Sequence, residues 1–330
     1  MAKIFLTHPP EALANYYGDR AVAGLKALGE VRFNPAGREL STPELIAAAR
    51  GCEVIVSYRQ TPGEAALFQE SPDLVAFSRC AIDIRNVDVP AASAAGILVT
   101  QASAGFVASV SEWVIGAMVD LGRNLTKATE SYRAGRVPAA VMGRQLKGST
   151  LGILGYGQIG RSLAELGLAL GMRVLVFDPY TKVEQPRVEQ REMAAVLAES
   201  DFVVCLVVVN DRTEKLVNEA AFSRMKPGAY FINASRGNLV DDDALRAALG
   251  SGRLAGCAVD VGRAPDQMPS PELARHPKVI ATPHTAGLTL PAIEHQSLET
   301  VAQVAEIING RAPNGAVNAA QASRLARLRG

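Results

Sequence analysis

Three glycines and one aspartate between residues 150 and 180 have the spacing of a nucleotide-binding turn. Gly155, Gly157 and Gly160 follow a short apolar run, and leucines at helical spacing lead to a second apolar run that ends at Asp178. The first glycine permits a tight turn, the second lets the backbone approach a pyrophosphate, and the third lets helix and strand pack closely. The free N–H groups at the start of that helix face the negative charge of the phosphates. The pattern therefore predicts a dinucleotide site.

The position of Asp178 indicates which dinucleotide is bound. It lies eighteen residues after Gly160, at the end of the second apolar run. A carboxylate at this point accepts a hydrogen bond from a ribose 2′-hydroxyl and repels a 2′-phosphate. We therefore expect NAD rather than NADP, with Gln158 and Ile159 completing the turn. An ordinary glycine-rich turn, the alternative interpretation, does not require strand, helix, second strand and acid in this order.

Composition excludes several other classes of function. The 330 residues carry a formal net charge of +1, which gives no field to gather nucleic acid or an anionic membrane. The four cysteines show neither a C-x-x-C pair nor a histidine-linked metal spacing, so we expect buried reduced thiols, no metal and a cytoplasmic protein. The apolar run at the N-terminus is too short for a signal peptide, and the longest one, 202–209, is typical of a buried strand.

The elements that must position these residues alternate between short apolar runs and helical patterns. Alternation of this kind is typical of parallel strands with crossover helices, and the length of the chain favours two domains. We therefore predict the α/β class, with a Rossmann domain and a smaller flavodoxin-like domain, each a doubly wound parallel sheet. Ser109 and Glu112 have capping-box spacing before the apolar stretch 114–121, which predicts a helix leading between the two units.

The C-terminal part of the chain is expected to return to the first unit. Residues 291–308 have the pattern of a long helix, which would make the first domain discontinuous. The last dozen residues, with Arg324, Arg327 and Arg329, are expected to be solvated or frayed.

Four segments, in order along nearly the whole chain, resemble the D-isomer-specific 2-hydroxyacid dehydrogenases. This family includes phosphoglycerate, glycerate and D-lactate dehydrogenases and, more distantly, formate and phosphite dehydrogenases. The segments are LGILGYGQIG…VFDPY at 151–180, MKPGAYFINASRGNLVDDDAL at 225–245, GRLAGCAVDV at 252–261 and HPKVIATPHTAG at 276–287.

The resemblance implies an organisation for the whole chain. A discontinuous substrate domain, residues 1–100 and 287–330, would accompany an NAD-binding domain, residues 101–286. The active site would lie in the cleft between them, and the protein would be a homodimer formed through its cofactor domains.

The same resemblance implies roles for three side chains. Arg236, in the N-A-S-R-G turn, would bind the substrate carboxylate with two parallel hydrogen bonds and polarise the 2-carbonyl. His284, in T-P-H-T-A-G, would exchange the proton of the substrate oxygen. Asp260 would hold the nicotinamide carboxamide, with a strand-end cap as the alternative. The cofactor contacts implied in the same segments are completed by Ala234, Ser235 and Ala286.

One departure from the family concerns the partner of His284. A glutamate normally follows the aspartate by five residues and pairs with the histidine, but residues 260–266 here read D-V-G-R-A-P-D. Without an anionic partner the protonated imidazole is stabilised less. Asp266, one position further on and one methylene shorter, is a candidate substitute; otherwise His284 works unpaired or with another partner, as in the formate branch, where an amide replaces the glutamate.

A second departure concerns the loops that would face the substrate. Where the family has a glycine-rich turn, this chain has Ile82 and Asp83, and the carboxylate of Asp83 would oppose an anion unless it turns away or meets Arg85 or another cation. Tyr58 and Arg59 occupy the other loop. If they point inward they suit a larger, aromatic or doubly anionic substrate; as loop residues they are equally compatible with solvent.

The sequence thus predicts an NAD-dependent oxidoreductase that transfers a hydride between nicotinamide and C2 of a D-2-hydroxy or 2-keto acid. Two alternatives stay open. One is NAD-dependent oxidation of a different small anion, such as formate or phosphite, on the same scaffold. The other is a regulatory protein that binds NAD but has lost catalysis.

Overall fold

The structure, a computed structural model, describes residues 1–328. Its strands are β1 (Ala2–Leu6), β2 (Gly29–Phe33), β3 (Val54–Ser57), β4 (Ala76–Arg79), β5 (Leu98–Gln101), β6 (Thr150–Leu154), β7 (Arg173–Phe177), β8 (Val188–Gln190), β9 (Phe202–Cys205), β10 (Ala229–Asn233), β11 (Leu254–Val259) and β12 (Val279–Ala281). Its α-helices are α1 (Pro10–Tyr16), α2 (Asp19–Leu28), α3 (Thr42–Ala48), α4 (Ala65–Glu70), α5 (Val89–Ala94), α6 (Val107–Arg123), α7 (Leu125–Arg133), α8 (Gln158–Ala169), α9 (Met193–Glu199), α10 (Glu219–Arg224), α11 (Asp242–Gly250), α12 (Pro271–Ala274) and α13 (Leu290–Ile308).

The chain divides into two compact units. The N-terminal unit comprises Met1–Phe106 and the chain from Thr289 onward, and the second unit comprises Val107–Leu288. The sequence had placed these divisions after residues 100 and 286, six and two residues earlier.

The N-terminal unit is built on a five-stranded parallel sheet in the order β2-β1-β3-β4-β5. This is the flavodoxin-like doubly wound order. Successive residues of each strand point to opposite faces, so the sheet has two apolar layers. Ile4 and Val54 pack with Leu25 of α2 and Val304 of α13 on one face, whereas Phe5 packs with the helices of the other face. A parallel sheet covered on both sides in this way needs strands that are apolar throughout.

The C-terminal segment packs against the N-terminal unit. Leu325, in a 3₁₀-helix over Ser323–Leu328, is buried in the same core as Val304. The guanidinium of Arg324 donates to the carbonyl oxygens of Ser71 and Leu74, at 2.7 and 2.9 Å. The prediction that this segment is solvated is therefore wrong, because an apolar side chain and carbonyl acceptors hold it; Arg329 lies outside the described residues.

The second unit is built on a seven-stranded parallel sheet in the order β12-β11-β10-β9-β6-β7-β8. From β6 the chain first adds strands on one side of the sheet, β7 and β8, and then on the other side, starting with β9. Ligands of such sheets bind beyond the carboxyl ends of the strands at this switch point between β6 and β9. Ile153 and Val204 pack with Leu163 of α8 on one face, and Val203 packs with Phe231 among the residues of the other. Both sheets confirm the predicted fold class.

The helix that opens the second unit differs from the prediction. α6 begins at Val107, so Ser109 lies inside the helix and is buried rather than capping it. Val107, Val110 and Val114 have helical spacing, and the last two are buried. The apolar face of the helix therefore sets its start, and the predicted capping box is wrong.

Over residues 1–328, no helix combines the length and apolarity needed to cross a membrane. Within the same range, no group of three or more His, Cys, Asp or Glu side chains is arranged to hold a metal ion.

Candidate active site

The predicted glycine turn lies at the switch point of the second sheet. Gly155 follows β6 with φ +99°, a conformation that favours glycine, and a Cβ there would lie 2.7 Å from the carbonyl oxygen of Leu206 after β9. A Cβ at Gly160, inside α8, would lie 2.3 Å from the carbonyl oxygen of Gly155. Both positions therefore require glycine for the chain to turn and for α8 to pack on the turn.

Gly157 differs from the other two glycines. It caps the N-terminus of α8, its φ is −75°, and a Cβ there would have no heavy atom within 4 Å. The protein itself therefore does not need a glycine here, whereas a ligand that approaches the backbone does. Gln158 is exposed and Ile159 is half-buried in the first turn of the helix. The open space at Gly157, at the N-terminus of a 12-residue helix, fits a pyrophosphate.

Asp178 lies beside this turn and is held by backbone donors. Its carboxylate accepts hydrogen bonds from the N–H groups of Tyr156, Tyr180 and Thr181, at 2.7, 2.9 and 2.9 Å. Burial raises the pKa of this carboxyl, but the three backbone donors together with the side chain of Thr181 outweigh burial and leave the pKa below its ordinary value. A fixed anion therefore stands at the end of β7, beside the glycine turn.

The turn that carries Arg236 follows β10 and is braced by Asn233. The side chain of Asn233 accepts from the N–H of Ser235 at 3.1 Å and donates to the carbonyl of Arg236 at 3.0 Å. Ser235 Oγ donates to the carbonyl oxygen of Val207 at 2.6 Å, and Arg236 Nη1 donates to the carbonyl of Ser235 at 2.7 Å. These bonds fix the half-buried Arg236 at the carboxyl edge of the sheet, next to the half-buried Ala234.

The segment after β11 lies directly against this turn. A Cβ on Gly237 would be 2.2 Å from the carbonyl carbon of Gly262, so the two backbones are in contact. Because β10 and β11 are parallel neighbours, both loops leave the same edge of the sheet. The segments that follow Arg236 and Asp260 therefore come together at this edge.

Asp260 is buried and binds the loop that carries His284. Its carboxylate accepts from Thr282 Oγ1 at 2.5 Å and from the N–H groups of Thr285 and Ala286 at 2.8 and 2.9 Å. These contacts match the capping alternative, with the difference that the side chain caps a neighbouring loop rather than its own strand. Asp260 thus holds the side chain of Thr282 before His284 and the backbone of Thr285 and Ala286 after it.

His284 has an uncommon backbone conformation. Its φ is +57°, and its N–H donates to the carbonyl oxygens of Asp260 and Thr282, at 2.9 and 3.0 Å. A non-glycine residue in this region is held there by its surroundings, and such residues are frequent at functional sites. The ring is half-buried, and its Nδ1 lies 2.9 Å from the main-chain carbonyl oxygen of Asp266. The structure therefore brings Asp266 to His284, and the contact is made by the backbone of Asp266.

The candidate substrate residues lie in the N-terminal unit. Asp83 accepts a bidentate ion pair from the guanidinium of Arg85 and a bond from its N–H, so its charge is compensated as the sequence allowed. Ile82 is exposed to 38%. Tyr58 is buried, and the guanidinium of Arg59 lies over the ring of Tyr16, 5.0 Å from its centroid. Tyr58 is therefore part of an aromatic cluster rather than solvated.

A buried histidine at the end of β1 was not singled out by the sequence. His8 is 2% exposed, its ring lies between Tyr17 and Tyr58, and neither ring nitrogen has a hydrogen-bond partner. Burial, with the nearby charge of Arg79, lowers the pKa of His8 to about 3. Burial also lowers the pKa of Arg79, to about 10. Only its position at the carboxyl end of a strand could have marked His8 in the sequence.

A Rossmann unit whose strand ends present a glycine turn, an arginine and a histidine defines a protein of the dinucleotide-dependent dehydrogenase class. The family model of the D-isomer specific 2-hydroxyacid dehydrogenase NAD binding domain matches residues 115–286, just over half of the chain. The chain is 32% identical to the (S)-sulfolactate dehydrogenase of Chromohalobacter salexigens, over 91% of this chain and 98% of that protein. The chain belongs to the D-isomer-specific 2-hydroxyacid dehydrogenase family.

Two further comparisons agree. D-3-phosphoglycerate dehydrogenase 3 of Arabidopsis thaliana is 30% identical over 90% of this chain and 51% of that protein, so the chain spans about half the length of that relative. The apo-structure of D-lactate dehydrogenase from Escherichia coli superposes with a TM-score of 0.83 at 25% identity, covering 96% of this chain and 99% of that chain. The predictions of family and of NAD as cofactor are confirmed, and the prediction of a dehydrogenase is confirmed at the level of the family.

Proposed function

We propose that this protein is an NAD-dependent D-2-hydroxyacid dehydrogenase that interconverts a small 2-hydroxy acid and its 2-keto acid. The observation that carries this proposal is the backbone contact between Gly237 and Gly262. It brings the turn of Arg236 against residues 260–266, and the carbonyl of Asp266 at the end of that segment contacts His284. A guanidinium that can bind a carboxylate and an imidazole that can exchange a proton then occur at one edge of the sheet, the edge proposed to bind the cofactor.

Each group has a separate task in the proposed reaction. The guanidinium of Arg236 binds the substrate carboxylate and polarises the 2-carbonyl. His284 takes the hydroxyl proton during oxidation and returns it to the carbonyl oxygen during reduction. Bound NAD supplies the acceptor for the hydride. The contribution of the chain is therefore orientation and charge stabilisation.

Asp260 has one acceptor position left for the proposed contact with the nicotinamide carboxamide. A carboxylate offers about four acceptor positions, and the loop of His284 uses three of those on Asp260. We propose that the remaining position accepts from the carboxamide, so that one buried anion fixes both the histidine loop and the cofactor ring. Ala234, Ser235 and Ala286 would line the same side of the cofactor.

We further propose that Ile82, Asp83, Tyr58 and Arg59 contribute to the substrate side. The ion pair with Arg85 compensates the charge of Asp83, so this loop does not simply repel an acid. Arg59 adds a half-exposed cation on the other loop. The relatives include proteins named for sulfolactate and for 3-phosphoglycerate, both acids with a second anionic group. We therefore include doubly anionic keto acids among the candidate substrates.

Cellular location and assembly follow as proposals. All four cysteines are buried and free, which supports a reducing, cytoplasmic location. The segment after α7 exposes large apolar side chains, with Val137 at 83%, Val141 at 72% and Met142 at 96%. Exposed apolar side chains of this density support association of the cofactor units into a homodimer. Light scattering coupled to size exclusion would give the mass.

The proposed activity is tested by following NADH absorbance with a panel of 2-keto acids. The panel contains pyruvate, hydroxypyruvate, glyoxylate, a branched 2-keto acid, sulfopyruvate and phosphohydroxypyruvate, with formate and phosphite assayed for NAD reduction. We expect at least one keto acid to be reduced, and Arg236→Ala and His284→Ala to lower its kcat/KM by at least about 100-fold. Turnover of formate or phosphite alone would support the one-carbon or phosphite alternative, and NADH binding without any turnover would support the regulatory one.

A further inference from the structure

We propose that the main-chain carbonyl of Asp266 takes the place of the glutamate that this chain lacks. The carbonyl oxygen accepts the hydrogen of His284 Nδ1, fixes which ring nitrogen carries the proton, and leaves Nε2 to exchange a proton with the substrate. Asp266 is then a positioning residue that acts through its backbone. The role of Nε2 depends on the proposed function, whereas the protonation of Nδ1 is a property of the chain alone.

The geometry of the contact determines the tautomer. His284 Nδ1 and the carbonyl oxygen of Asp266 are 2.9 Å apart, a normal distance for an N–H donor and a carbonyl acceptor. A carbonyl oxygen can only accept, so the hydrogen must be on Nδ1. In a neutral imidazole the other nitrogen, Nε2, is then the base. A ring with the hydrogen on Nε2 would place two acceptors against each other at this distance.

The loop of Asp266 holds the carbonyl in place. Asp266 and Gln267 have φ of +56° and +59°, two consecutive left-handed residues that turn the Asp266 carbonyl out of the loop. The loop is closed by backbone bonds from Gly262 N–H to the Gln267 carbonyl, at 2.7 Å, and from Ala264 N–H to the Met268 carbonyl, at 3.0 Å. Left-handed residues persist where the surrounding structure over-determines them, so the carbonyl is directed by the loop as a whole.

Both partners of the contact are tethered to the same sheet. Arg263, inside the loop, donates to Glu214 Oε1 at 2.6 Å and to the carbonyl oxygen of Asn238 at 3.2 Å. On the other side, Asp260 binds the backbone around His284. The backbones that carry the ring and its acceptor are therefore both held in place, which is the arrangement that keeps a catalytic imidazole oriented.

A carbonyl differs from a carboxylate in one respect that can be measured. It orients the ring and satisfies Nδ1–H, but it carries no net charge to stabilise the protonated ring. An anion within hydrogen-bonding distance stabilises the protonated form by about 1 to 3 pH units, and a neutral dipole gives a smaller effect. The carbonyl of Asp266 therefore orients the ring of His284 without supplying the charge that a glutamate would bring.

The tautomer is tested by ¹⁵N NMR of the full chain labelled at histidine, with and without NAD. The chain has four histidines, and His284→Gln identifies the resonances of residue 284. We expect the hydrogen of the neutral ring on Nδ1. A neutral ring with its hydrogen on Nε2 overturns the proposal, and this readout needs no substrate, so it does not depend on whether the proposed activity is found.

Two substitutions separate the carbonyl from the carboxylate of Asp266. Asp266→Asn removes the charge and keeps a residue that tolerates positive φ. We expect the tautomer and the midpoint of the pH–rate profile to stay in place; a midpoint shift of about 1 to 3 pH units would show that the carboxylate is the partner and would overturn the proposal.

Gln267→Pro changes the backbone instead, because proline cannot adopt φ +59°, and Gln267→Gly is its matched control because glycine adopts that angle freely. We expect the proline variant to lose the Nδ1–H preference and the glycine variant to keep it. Equal tautomer populations in both variants would contradict a role for this carbonyl. If the proline variant fails to fold, the measurement on the unaltered protein and on Asp266→Asn still decides.

Discussion

His8 makes the stability of the N-terminal unit depend on pH in a way that can be calculated. The buried imidazole lies between two tyrosine rings and beside the cationic Arg79, and its pKa falls from 6.5 to about 3. The unfolded chain therefore binds a proton at His8 before the folded chain does. The stability that the folded state gains by keeping His8 neutral is therefore fully present above pH 6.5, and it is lost progressively as the pH falls from 6.5 towards 3.

The magnitude comes from the same shift. One pH unit of difference in protonation is worth about 1.36 kcal/mol, so between pH 7 and pH 4 the proton at His8 lowers the free energy of unfolding by about 3 kcal/mol. Replacement of His8 by phenylalanine keeps an aromatic ring between Tyr17 and Tyr58 and removes the titration. We expect His8→Phe to change stability little at pH 7, because loss of two unpartnered ring nitrogens offsets the larger volume.

Urea denaturation followed by circular dichroism, at pH 7 and pH 4, measures this effect in both proteins. The single tryptophan, Trp113, lies in α6 and reports the second unit separately by fluorescence. Carboxylates elsewhere titrate equally in the two proteins, so their contribution cancels in the comparison. We expect the loss of stability on acidification to be about 3 kcal/mol smaller in His8→Phe. Equal losses in the two proteins would refute the assignment of His8 as a buried neutral base.

Three further predictions concern the second unit. Gly157→Ala should fold normally, because its Cβ meets no atom within 4 Å, yet lower NADH affinity by about tenfold or more in a fluorescence titration. Gly160→Ala should instead lower the melting temperature, because its Cβ meets a carbonyl at 2.3 Å. Normal NADH affinity of Gly157→Ala would argue against a pyrophosphate at this turn. Asp178→Ala should weaken NAD and reduce the discrimination against NADP, measured as the ratio of the two dissociation constants, and an unchanged ratio would contradict its role. Arg236→Lys should lower kcat/KM by about 100-fold or more, since one ammonium cannot make two parallel bonds to a carboxylate, and a variant with full activity would exclude bidentate binding.

The sequence predicted the parts of the molecule that depend on local rules. The glycine turn, the helix after it and the acid that ends β7 follow from residue types at fixed spacing, and the structure places them together at the switch point. The long helix over 291–308 was equally visible, because its apolar residues recur at helical spacing and α13 starts one residue earlier.

Features that depend on packing or on individual backbone angles were not predictable. Ser109 has the right residue type and spacing for a cap, but the buried faces of Val110 and Val114 extend α6 past it. The contact between His284 and the carbonyl of Asp266 depends on consecutive positive φ angles at Asp266 and Gln267, and glutamine gives no signal of such an angle. Its position in the sequence makes Asp266 a candidate partner of His284, but the expected contact is through the carboxylate and the observed one is through the main-chain carbonyl.

The long insertion that interrupts the N-terminal unit determines the order in which a ribosome can deliver the two halves of the molecule. Val304 and Ile307 fill the layer beneath Ile4 and Val54, and they emerge from the ribosome only after the whole of Val107–Leu288. The cofactor unit can therefore fold during translation, whereas the first hundred residues wait with one side of their sheet covered by α2 but not yet by α13. During that wait the nascent chain is exposed to aggregation, and chaperones would be expected to act on it at this stage.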